Sequence, residues 1–110
     1  MEAEKENRGK TSEERLINRF LSYITVEKGL SKNTVDSYAF DLKAFAKYLG
    51  DKGKDMQSFE KKDITGYMGA MKDSSSSTAA ICRFISTVKG FSKFLITEKL
   101  ISEDHSEGIR

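Results

Sequence analysis

The chain has 110 residues, 33% of them charged, yet its formal net charge is only +2. Its length suits one domain with one core, and 37% apolar residues place it well above disordered chains. No apolar run reaches the ~20 residues of a membrane span, the polar N-terminus lacks a secretory signal, and one cysteine, Cys82, closes no internal disulfide.

The expectation is therefore a cytoplasmic chain with no membrane partner. Any case for a polyanionic partner must rest on where the charge lies, because its sum is small.

Residues 1–10 are polar without apolar periodicity and read as an arm. Order is expected from Thr11, which has capping-box spacing with Glu14. Leu16, Ile17, Phe20, Leu21 and Ile24 then recur at three- and four-residue steps, the pattern of an amphipathic helix. Gly29 supplies the left-handed residue that commonly ends one.

Ser31 is a good N-cap for a second helix, with Leu30 and Val35 spaced as a hydrophobic staple. The stripe Val35, Tyr38, Leu42, Phe45 and Leu49 carries that helix to about Leu49, where Gly50 and Gly53 mark a loop. Phe59 is expected to tuck into the core. A short third helix follows around Ile64, Tyr67, Met68 and Met71, weakened by Gly66 and Gly69 at up to ~1 kcal/mol each relative to alanine. The serines Ser74 to Ser77 link to a fourth helix and its last members can cap it. The stripe there is Ile81, Phe84, Ile85, Val88, Phe91 and Leu95, ending near Lys99. Period-two alternation is absent, so the class is all-α, four helices with short connections.

The other side of the fourth helix carries Ala79, Cys82, Arg83, Ser86, Lys89, Gly90 and Lys93. Small side chains with cations between them fit a helix approaching a duplex, and they fit a solvated face equally well in kind. The second helix opens on Ser31, Lys32, Asn33, Thr34 and Ser37, which suits phosphate and also suits ordinary capping. Phe40 and Phe94 fall off their stripes, as edge residues under a loop or as a patch for a neighbour. Cys82 reads as a small filler and His105 as a solvated residue of a polar tail. No glycine-rich phosphate loop, hydrolase elbow or metal-ligand spacing is present, so neither a cofactor nor enzyme chemistry is expected of this chain.

The order of residues adds more. Phe20-Leu21-Ser22-Tyr23 leads to Glu27-Lys28-Gly29-Leu30-Ser31-Lys32-Asn33-Thr34, then Tyr38, Asp41-Leu42, Phe45 and Tyr48-Leu49. This resembles the opening of Xer-type tyrosine recombinases and related phage integrases. The run Arg83-Phe84-Ile85-Ser86-Thr87-Val88-Lys89-Gly90-Phe91-Ser92-Lys93-Phe94-Leu95 resembles that family's fourth helix, and Glu98-Lys99-Leu100-Ile101 its exit. The resemblance spans about residues 14–110. Ala39 and Phe40 stand where the family often has basic residues, Ser106 where it usually has proline, and the third helix is unusually rich in glycine.

The resemblance implies a four-helix orthogonal bundle of the SAM-like, core-binding kind over residues 11–102. Residues 103–110 would then be a linker toward a catalytic domain of the same parent chain. It implies a DNA-binding role in site-specific recombination, as half of a clamp on double-stranded DNA beside other recombinase protomers. The implied contacts are Lys32, Asn33, Thr34 and Ser37 on helix two, and Arg83, Ser86, Thr87, Lys89 and Lys93 on helix four. The nucleophilic tyrosine would belong to the catalytic domain, while Tyr23, Tyr38, Tyr48 and Tyr67 are core or edge aromatics. A helical protein-interaction domain without DNA binding is the alternative.

Overall fold

In the computed structural model, which describes residues 12–109, helices α1 (Ser12–Val26), α2 (Lys32–Asp51), α3 (Lys61–Asp73) and α4 (Thr78–Thr97) follow one another. No strand occurs among the described residues, so the all-α expectation holds. Thr11 and the arm at residues 1–10 lie outside the described residues.

The helix ends follow from local chemistry. The first amides of a helix lack intrahelical acceptors, and side-chain oxygens supply them. Ser31 Oγ accepts the Thr34 N–H at 3.3 Å at the start of α2, and Ser77 Oγ accepts the Ala80 N–H at 3.0 Å at the start of α4. At α3 the Asp63 carboxylate accepts the Glu60 N–H at 2.7 Å and the Lys54 ammonium at 2.8 Å. Burial alone would raise the Asp63 carboxyl, but those donors outweigh it and hold it below the ordinary value. Gly29 turns the chain out of α1 with φ of +63°, a region side chains disfavour.

Helix α2 packs against α1, α3 and α4, and α3 also touches α4. Two aromatic clusters hold the bundle. Phe20 of α1 meets Phe91 at 5.4 Å and Phe94 at 5.5 Å, both on α4. Phe45 of α2 meets Phe84 of α4 at 5.3 Å and Phe59 of the α2–α3 loop at 5.4 Å. Each fully buried ring contributes about 1.5–3 kcal/mol of hydrophobic stabilisation. Helix α4 supplies rings to both clusters, so it is pinned along its length and its remaining side is fixed in space.

Three expectations change. Phe94 is no edge residue: it is 3% exposed, covered by Phe20 and Tyr23 because α1 runs along that side of α4. His105 is half-buried with its ring 5.0 Å from Phe59 in an edge-on contact, because the C-terminal stretch folds back onto the domain. In that stretch Ser106 and Ile109 are buried, and Asp104 caps its turn by accepting the Ser106 N–H at 2.8 Å. Cys82 fills no gap; it is exposed on the side of α4 that also bears Ser86 and Lys89. Met56, which no periodicity marks, is buried beside Phe59 in the loop.

Candidate nucleic-acid interface

Helix α4 spans twenty residues and contains three cations, Arg83, Lys89 and Lys93, and no carboxylate. Steps of three or four residues relate Arg83, Ser86, Lys89 and Lys93, so all four fall on the side away from Phe84, Val88 and Leu95. Ser86 and Lys93 are exposed and Lys89 is half-exposed. Among the described residues neither Lys89 nor Lys93 forms an ion pair.

Arg83 and Thr87 are engaged within the protein. Asp41 of α2, 4% exposed, accepts Arg83 Nε–H at 3.0 Å on Oδ2 and Arg83 Nη2–H at 2.8 Å on Oδ1. Thr87 Oγ–H also reaches Asp41 Oδ2 at 2.9 Å, with the Arg83 carbonyl at the same distance. Thr87 is 0% exposed, so it lies beneath the face and offers no surface to a duplex. Its place is legible in hindsight, three residues after Phe84 and four before Phe91, on the core side. Asp41 is the acceptor on which both side chains converge. It too sits at core spacing, three after Tyr38 and four before Phe45, and a carboxylate there demands a buried cationic or donor partner. The bond to Asp41 raises the Arg83 guanidinium further above its already high ordinary value. Burial and then Asp41 push the nearby Tyr67 phenol up.

On α2, Lys32 and Asn33 are exposed at the first turn, while Thr34 and Ser37 are half-buried. The Lys32 ammonium bonds Asp36 at 2.9 Å along the helix surface, and Thr34 takes part in the cap with Ser31. The cap is thus real, and it leaves Asn33 and Ser37 as the less engaged pair. A groove between α1, the α1–α2 connection and the second half of α4 is lined by Tyr23, Lys28, Leu30, Tyr38, Lys93 and Phe94 among others. Helices α2 and α4 are linked by the Asp41–Arg83 ion pair, and the groove takes in Lys93 but none of Lys32, Asn33, Thr34 and Ser37. The implied contacts differ in their surroundings: among the described residues Lys89 and Lys93 form no ion pair, Lys32 and Arg83 are paired, and Thr87 is enclosed.

Among the described residues no helix is long and apolar enough to cross a membrane. The chain matches the family profile of the phage integrase N-terminal SAM-like domain over residues 17–99, from α1 to the exit of α4. It is 38% identical over 92 residues to tyrosine recombinase XerD of Oceanobacillus iheyensis, which covers 82% of this chain and 31% of that protein. Tyrosine recombinase XerD of Staphylococcus haemolyticus is 35% identical over 92 residues, covering 83% and 31% respectively. That of Staphylococcus aureus strain Mu50 is 36% identical over the same length, with the same shares. The chain spans about a third of the length of the curated relatives it matches. No solved structure matches it. By its profile match and its relatives, the chain belongs to the family of N-terminal SAM-like domains of phage integrases and tyrosine recombinases.

Proposed function

We propose that this chain is the DNA-gripping domain of a tyrosine recombinase, one half of a clamp that closes on duplex DNA in the cytoplasm. The other half is a catalytic domain of the same parent chain, which supplies the chemistry, and further protomers share the site. The observation that carries the reading is α4, a helix without a carboxylate whose outer side bears Lys89 and Lys93, neither in an ion pair among the described residues. Family membership and the recombinase names of the relatives support it.

An isolated half clamp neutralises few phosphates, so its affinity should be micromolar or weaker at physiological salt and fall steeply as salt rises. The test is fluorescence anisotropy with a labelled short duplex over a salt series, for the natural chain and for Lys89→Glu/Lys93→Glu. Loss of two phosphate contacts should lower the slope of log affinity against log salt by about two, with helicity unchanged. Arg83 is unsuited to this test, because a glutamate there would face the buried Asp41 carboxylate and damage the fold.

Phe40, 67% exposed on α2, favours a second reading, a helical protein-interaction domain. Equal duplex affinity for the natural chain and the double variant at low salt would move the function to it.

A further inference from the structure

A carboxylate buried to the extent of Asp41 is costly unless its oxygens are filled, and here Arg83 and Thr87 fill them. The contact is the fork-on-carboxylate geometry that fixes a guanidinium in its own plane. It uses two of the five N–H donors of arginine and leaves three, on Nη1 and Nη2, at a side chain that is still 40% exposed. The ion pair also cancels most of the long-range charge of Arg83, so what Arg83 can offer a ligand is direction more than attraction. Thr87, one turn along the same helix as Arg83, adds a second donor to Oδ2, the oxygen that takes Arg83 Nε–H, and so braces the carboxylate.

We infer that Asp41, braced by Thr87, is a positioning residue that presents the outer N–H pair of Arg83 in one fixed orientation to a pair of acceptor atoms on duplex DNA. Lys89 and Lys93 supply the salt-sensitive attraction, and the Asp41–Arg83 unit supplies a directional contact. A phosphate and a guanine edge both offer such an acceptor pair. The inference rests on the DNA reading above.

Asp41→Asn separates position from charge. The substitution adds one unit of positive charge, so charge alone would raise affinity for DNA. Loss of the fork should instead lower it about ten-fold, the effect of one directional contact. Arg83→Lys, which keeps the charge and loses the fork, should fall by a similar factor, and the double variant should fall no further than either alone. An equal loss on a G·C-containing and an A·T-only duplex assigns the acceptor to phosphate, and a loss confined to the first assigns it to guanine. Unchanged or higher affinity in folded Asp41→Asn overturns the inference.

If Asp41→Asn does not fold, as judged by circular dichroism, the natural chain decides. Its Arg83 Nε–H resonance, protected by Asp41, should persist and shift on titration with the duplex. An Nε–H that stays in place while the amides of Lys89 and Lys93 shift overturns the positioning role alone. No shift anywhere overturns the DNA reading, and this inference falls with it.

Discussion

Replacing Phe94 by alanine removes a ring that touches Phe20 at 5.5 Å and Tyr23 at 5.3 Å, with the Arg19 guanidinium 5.9 Å above it. Truncations of buried phenylalanine cost about 3–5 kcal/mol, through lost transfer energy and the cavity left behind. Phe40→Ala, at an exposed site, should change stability by less than about 0.5 kcal/mol. Urea unfolding of the two variants measures the contrast. The same scale explains what sequence periodicity could and could not reach. Phe84, Val88, Phe91 and Leu95 were legible because they repeat on one stripe. Phe94 was not, because its burial depends on where α1 crosses, and that is a tertiary fact. Thr87 and Asp41 were missed for the opposite reason: both sit at core spacing, but a polar side chain reads as surface until its partner is known.

At the scale of elements, the caps at Ser31 and Ser77 and the turn at Gly29 were readable from residue type, because each answers a local backbone need. The glycines of α3 were readable only in part. Both lower helix propensity, yet they differ in surroundings. A Cβ at Gly69 would meet nothing within 4 Å, whereas one at Gly66 would lie 2.7 Å from the Tyr48 hydroxyl. Tyr48 cannot give way freely, since its ring rests 5.2 Å from Tyr67. Gly69→Ala should therefore stabilise the domain by up to ~1 kcal/mol, the full propensity gain. Gly66→Ala should show no such gain, because the contact with Tyr48 offsets it. Thermal melts of the two variants against the natural chain test the difference.

For the molecule as a whole, the fold rests on α4 being held by α1 through Phe91 and Phe94 and by α2 and α3 through Phe84. The C-terminal stretch adds to this. Ile109 is buried, and His105 lies against Phe59, which a tail of mostly polar residues did not announce in the sequence. Ile109→Ala should lower the unfolding free energy by about 2 kcal/mol, where a residue in a free linker would leave it unchanged. Denaturant unfolding distinguishes the two. The sequence offers the start of α2 and the outer side of α4 as candidate contact segments, on residue type alone. Which of their cations are paired was not legible there, because that depends on Asp36 and Asp41, which take up Lys32 and Arg83.

An NMR titration of the isotopically labelled chain with a short duplex, at low and then moderate salt, decides whether these two segments form one DNA-contacting surface. Amide shifts at Ser31 to Ser37 and along Arg83 to Lys93, shrinking as salt rises, are the predicted result. No shifts at low salt, or shifts that spare α4, would contradict it.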